Sequence, residues 1–180
     1  MKQILFNTEM VRVILEGRKT VTRRVVKPQP PAGVTRLEQG AAPDRWRSPG
    51  KDVWVEIRAP YQSGDILWVR ETFTVVPDGS YIYKASVECP DAWKGTWKSP
   101  YYMTRETARI FLRVTGVRVE RLQDIDDSGV MAEGLEIGCY FDDLWNRITK
   151  PADRPDYGWD ANPWVWVIEF ERISKEEAMA

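Results

Sequence analysis

Histidine is absent from all 180 residues. That removes Ser-His-Asp and Cys-His nucleophilic systems, histidine-based zinc sites, and the commonest general base near neutral pH. Acid–base chemistry in this chain falls to Lys, Glu, Asp or Tyr. Cysteine is nearly absent: Cys89 and Cys139 are the two, with no ligand-like spacing. Their isolation argues against a disulfide framework or a zinc site, and reads as two reduced thiols in a cytoplasmic protein. No metal and no cofactor is expected. No apolar run approaches the length of a membrane span, and Met1-Lys2-Gln3 leads straight into a strand-like stretch. This reads as a chain with no signal peptide and no membrane partner. A surplus of basic charge is missing too, since 26 Lys and Arg against 27 Asp and Glu leave a net −1. Proteins that grip long nucleic acid through its phosphates carry a clear basic excess, so only a local basic face remains open.

Tryptophan, by contrast, is plentiful at nine residues. Indole rings bury large areas but need a partner for N–H, so many should sit half-buried or line a cleft. With 43% hydrophobic and 29% charged residues, the composition is that of one ordinary globular domain.

Along the chain, residues 3–6 read as a strand. Asn7 or Thr8 can cap a helix over 8–16 that carries Met10, Val13 and Ile14 on one face and stops at Gly17. Residues 20–26, rich in Thr and Val, return to β character. Residues 27–62 hold six of the twelve prolines and read as a long, partly ordered insertion with little to bury, containing one short edge strand at Val53–Ile57. Strands follow at 66–71 and 81–84. The clearest alternation is Ile110, Leu112, Val114; its phase slips at Thr115-Gly116 and resumes at Val117, which a bulge or a sharp bend at Gly116 would explain. Asp126, Asp127 and Ser128 can cap a short helix ending at Gly134, and Phe141, Leu144, Trp145 and Ile148 mark one face of another. The strand 164–170 is apolar on both faces and should lie centrally. Residues 174–180 read as a frayed tail. The fold class is α+β, with the strands expected in one curled sheet.

The densest functional segment is Gly17 to Arg24. Between Met10 and Pro28, Arg12, Arg18, Lys19, Arg23, Arg24 and Lys27 face a single acid, Glu16. Such a patch suits an anionic or polar ligand. A solvated strand edge guarded by charge fits the same composition.

Ile4-Leu5-Phe6, Met10, Ile14 and Gly17-Arg18-Lys19-Thr20-Val21-Thr22-Arg23-Arg24 together resemble the opening of an ASCH domain, a branch of the PUA-like superfamily. Gly64-Asp65-Ile66-Leu67-Trp68-Val69, Arg113 to Val117, Ala132-Glu133-Gly134 and Pro163 to Phe170 are similar to later motifs of such domains, in the same order. The resemblance spans residues 1–173, with 27–62 as an insertion, and is strongest to the larger phage and prophage members. It implies a PUA-like, small curled β-barrel with flanking helices. Some members bind RNA or nucleotides; certain small bacterial ones are amidohydrolases that deacylate N4-acetylcytidine with a Lys, a Thr and a Glu. Those roles carry over to Lys19, Thr22 and Glu133. The reading that follows is hydrolysis of N4-acylated cytosine nucleosides, with a non-catalytic RNA- or nucleotide-binding module as the alternative.

The chemistry is coherent without the family. A threonine hydroxyl needs a neighbouring base. Lysine can be that base only if its pKa falls well below about 10.4, as burial or nearby arginines would cause. Lys19 and Thr22 would point to opposite faces of a regular strand, so a turn must begin at Lys19. As contacts to a nucleoside or RNA base, Arg18, Arg24, Trp68, Glu71 and Tyr83 are candidates: an aromatic to stack, a carboxylate to accept from an exocyclic amine. For Trp68 a place in the core is the commoner role.

Overall fold

The computed structural model describes residues 1–40, 42, 45–48, 56–136 and 140–180. In chain order its elements are β1 (Lys2–Leu5), α1 (Thr8–Leu15), β2 (Val21–Val25), β3 (Glu38–Gln39), β4 (Arg45–Arg47), β5 (Glu56–Arg58), β6 (Ile66–Arg70), β7 (Phe73–Val75), β8 (Tyr81–Tyr83), β9 (Phe111–Arg121), α2 (Asp127–Ala132), α3 (Phe141–Ile148), α4 (Arg154–Tyr157), β10 (Trp164–Ile173) and α5 (Lys175–Met179). The architecture is α+β. A five-stranded sheet in the order β1-β6-β9-β10-β2 is accompanied by a three-stranded sheet, β3-β4-β5, and a ribbon, β7-β8.

Helix α1 forms where its cap and apolar spacing place it. The Asn7 side chain accepts from the Met10 N–H at 2.8 Å, a cap worth about 1 kcal/mol. Val11 and Ile14 turn inward. Gly17 closes the helix at φ 76°, a backbone state that a side chain would strain.

The last strand explains the double-faced core. Trp164, Trp166, Ile168 and Phe170 enter one cluster with Ile4, Phe6, Leu67 and Leu112. Val165 and Val167 enter a second, with Phe141 and Trp145 of α3. An interior strand with helices or loops over both faces has no solvent side, hence its unbroken apolar run. Opposite it, Glu169 pairs with Gly116 but Phe170 with Val114, so Thr115 is the extra residue of a bulge. That is where the sequence phase slips.

Several expectations need correction. Tyr81–Tyr83 does not join the main sheet; it pairs with Phe73–Val75 across a tight turn in which the Val76 N–H donates to Ser80 and the Gly79 N–H to Val76. A local hairpin closed by Pro77-Asp78-Gly79 outcompetes a long-range partner. No ladder joins β1 to β2 among the described residues, so the sheet is not a closed barrel. Even so, Arg24 Nη2 of β2 donates to the Leu5 carbonyl of β1 at 3.1 Å, linking the two outer strands by a side chain.

The insertion also buries more than its prolines suggest. Val34, Leu37, Trp46, Ile57 and Ala59 join the main core, and Trp46 meets Trp166 edge-on at 5.9 Å between ring centres. Of the expected Val53–Ile57 strand, 53–55 lie outside the described residues, as does Cys139; β5 supplies Glu56–Arg58. The tail is not frayed. Ser174 and Glu177 cap α5 reciprocally, and Ala178 is buried beside Ala108, Phe111 and Ile173. Among the described residues no helix is long and apolar enough to cross a membrane.

Candidate functional site

The turn required between α1 and β2 is present. The N–H groups of Arg18 and Lys19 both donate to the Val13 carbonyl, at 3.0 and 3.1 Å, and Thr20 donates to Ala132 of α2 at 2.9 Å. Lys19 therefore precedes the β ladder, which starts at Val21, and strand alternation does not separate it from Thr22. The same crossing brings α2 against α1. At Gly134 (φ 89°) an added Cβ would stand 2.8 Å from Val13 and 3.1 Å from the Lys19 Cβ, so only glycine fits this approach.

Glu133, the residue after α2, points into the crossing and is 4% exposed. One carboxylate oxygen is paired with the Lys19 ammonium. The other accepts from the Arg23 backbone N–H at 2.8 Å and from its guanidinium at 3.3 Å. Lys19 also donates to the Glu133 carbonyl at 3.1 Å. Arg23 turns its remaining N–H groups onto Glu120 at 2.8 and 3.0 Å. Two buried cations are thus balanced by two carboxylates, as burial of charge demands.

Burial pushes the Lys19 ammonium below the usual lysine range; Glu133 opposes this, and Arg24 and Arg23 add to it. Burial likewise lowers Arg24, with Glu133 and Tyr61 opposing. Arg24 makes no ion pair among the described residues; its Nη1 donates to Thr22 Oγ1 at 2.8 Å and to the Arg23 carbonyl at 3.0 Å. Lys19 and Thr22 are not joined by a hydrogen bond.

These groups border one cavity of about 650 Å³. Lys19, Thr22, Arg24 and Glu133 are among its polar lining, with Arg23, Arg70, Gln3 and Asn7; Phe6 and the α3 residues Phe141, Leu144 and Trp145 form an apolar wall, with Tyr61 and Tyr101 also lining it. A concave site, mostly apolar with a few convergent polar groups, is the usual form of a small-molecule pocket. Among the described residues no group of three potential ligands could hold a metal ion.

The structure therefore gathers Lys19, Thr22, Glu133 and Arg24. It does not gather the other four candidates. Arg18 lies outside the cavity, bonded to Glu16 and to the Gly134 carbonyl. Trp68 packs on the opposite side of β6 from Leu67 and Val69, against Phe111 and Ile173. Glu71 is 1% exposed and held by both arms of Arg109 at 2.8 and 2.9 Å. Tyr83 donates to the Thr107 carbonyl at 2.6 Å, with the Arg109 guanidinium 4.1 Å from its ring centre. Glu71, Arg109 and Tyr83 form a cluster of their own, Trp68 packs in a different, apolar one, and neither lines the cavity.

Sequence reasoning missed the structural weight of Arg23 and the wall built by α3. The apolar face of α3 was visible, but as helix core; its second use as a cavity wall needs the fold. Tyr61 sat in a proline-rich stretch that carried no site signal.

No family model matches the sequence, and no curated protein matches it. Among solved structures, the crystal structure of protein EF3133 from Enterococcus faecalis V583, described under DUF984, aligns at TM-score 0.45 and 12% identity, over 96% of this chain and 72% of that one. A similarity that low speaks neither to fold nor to activity.

Proposed function

We propose that this protein is an amidohydrolase of the ASCH, PUA-like kind that deacylates N4-acylated cytosine nucleosides such as N4-acetylcytidine. The observation that carries the proposal is the buried Lys19–Glu133 pair sharing one cavity with Thr22. The cavity also has the size and apolar character to take a base with its acyl group. For the fold, the bulge at Thr115 and the Arg24 bridge to Leu5 support a curled, PUA-like sheet.

In the proposed reaction Thr22 Oγ1 attacks the acyl carbon while its proton passes to the neutral Lys19 amine. The C–N4 bond then breaks, and the Lys19 proton moves to N4, releasing the cytosine amine. Water next attacks the threonyl ester; its proton passes through Lys19 back to Thr22 Oγ1 as the carboxylic acid leaves. Glu133 orients Lys19 throughout and shares its proton. Arg24, donating to Thr22 Oγ1, favours the developing alkoxide.

A non-catalytic nucleotide-binding module is the second reading. It is favoured by one observation: both assigned hydrogen bonds from Lys19 go to Glu133 and neither to Thr22. Incubating purified protein with N4-acetylcytidine and following cytidine release decides between the two. Release that is lost in Thr22→Ala supports the hydrolase, whereas binding without release leaves the module.

A further inference from the structure

Beside the main cavity lies a second one of about 250 Å³. Arg23, Arg24, Trp145 and Ile148 line both, so the two are neighbours across a shared wall. Their chemistry differs. Apolar side chains dominate the first, whereas the second carries Arg24, Lys27 and Lys150 against one carboxylate, Asp153.

Other basic residues are neutralised by carboxylates, Arg23 by Glu120 and Glu133, Arg109 by Glu71, Arg113 by Glu171 and Arg118 by Glu169. Arg24, Lys27 and Lys150 make no ion pair among the described residues. Arg24 is half-buried and uses its guanidinium on three neutral oxygens, those of Thr22, Arg23 and Leu5. Lys27 rests its ammonium 4.3 Å from the Tyr157 ring centre, which steadies it without cancelling its charge. A concave cluster of uncompensated cations raises the local concentration of anions and suits a phosphate group.

We propose that the second cavity is a phosphate subsite, so that the ligand of the main cavity is a nucleotide rather than a free nucleoside. This rests on the proposed function for the orientation of the base: the acylated ring lies against Phe6 and α3 near Lys19 and Thr22, and the phosphate lies among Arg24, Lys27 and Lys150. The shared chemistry is a phosphate attached to cytidine, either the terminal monoester of a mononucleotide or a backbone diester of RNA.

The test measures binding by calorimetry, which does not depend on turnover. Probes are cytidine, cytidine 5′-monophosphate and a short oligoribonucleotide containing cytidine without terminal phosphate. Lys27→Ala/Lys150→Ala is compared with wild type. Cytidine 5′-monophosphate is expected to bind roughly tenfold more tightly than cytidine at low salt, through two or three charge-assisted contacts screened as salt rises. The double variant should lose that preference and keep its cytidine affinity. A preference for the oligoribonucleotide over the mononucleotide assigns the diester; the reverse assigns the monoester. Equal binding of cytidine and its phosphate by wild type overturns the subsite, as does a preference that survives in the double variant. If the phosphate preference holds but N4-acetylated cytidine 5′-monophosphate is never deacylated, the subsite stands and the hydrolase reading falls.

Discussion

Lys19 and Glu133 lie 114 positions apart, yet form an ion pair whose side chains are 1% and 5% exposed. Removing one partner of a buried pair strands the other charge, at a cost of about 3–5 kcal/mol. The two partners are not equivalent. Glu133→Ala leaves Lys19 and part of Arg23 without a carboxylate. Lys19→Met leaves Glu133 still bound by the Arg23 N–H and guanidinium at 2.8 and 3.3 Å. Urea denaturation should therefore show the larger loss for Glu133→Ala. Equal losses would contradict this account.

For Thr22 the prediction concerns turnover. Thr22→Ala should abolish release of cytidine from N4-acetylcytidine while ligand affinity stays within about twofold, because the hydroxyl acts mainly in the transition state. Lys19→Arg should not restore a base, since a guanidinium stays protonated at any working pH. Unchanged activity in Thr22→Ala removes it as nucleophile.

The pH profile follows from the charge of Lys19. The neutral amine is the reactive form, and burial, helped by Arg24 and Arg23 against Glu133, holds its pKa below the usual range. kcat/KM should rise with pH through that lowered value and level off before about 10.4. Glu133→Gln withdraws the influence that raises the value, so the rising limb of any residual activity should move to lower pH. Stability has the same sign. Between the lowered value and about 10.4 the unfolded chain binds more protons than the folded one, so this group favours folding more as pH rises. Lys19→Met should flatten that slope in denaturation measured across the alkaline range.

Glu71 offers a control away from the cavity. Its carboxylate is buried, while the Arg109 side chain is 29% exposed and can turn to water. Glu71→Ala should cost about 2–3 kcal/mol, below the range for fully buried pairs. Cytidine affinity should not change. A tenfold loss of affinity in a variant that remains folded would return Glu71 to the ligand.

The insertion yields the last prediction. Trp46 is 8% exposed within the main core, and its Nε1 has no partner among the described residues. Trp46→Ala should cost about 3–5 kcal/mol by thermal or chemical denaturation. Trp46→Phe should cost far less, since it keeps an aromatic ring and deletes an unsatisfied donor. A negligible effect from Trp46→Ala would show that the insertion does not support the core.

Local events were legible in the sequence because interactions within a few residues decide them. The Asn7 cap, the stop at Gly17 and the Asp126-capped helix before Gly134 all depend on neighbours along the chain. The double-faced burial of β10 was legible too, since a strand with no polar face has no solvent side. The tail misled because its reciprocal Ser174–Glu177 cap looks like an ordinary polar end until Ala178 has a surface to meet.

Sequence alone therefore determined the α+β class and the basic segment Gly17 to Arg24, while Lys19, Thr22 and Glu133 were singled out through the resemblance. Only the tertiary structure decided which candidates share a cavity. Period-two alternation states that Trp68 and Leu67 face opposite ways, but not which side meets the pocket. The apolar face of α3 announces burial, but not that part of it would wall a cavity instead of filling the core. Arg23 became a second partner of Glu133 only when the crossing of α1, α2 and β2 excluded water, because a buried carboxylate must take every donor within reach.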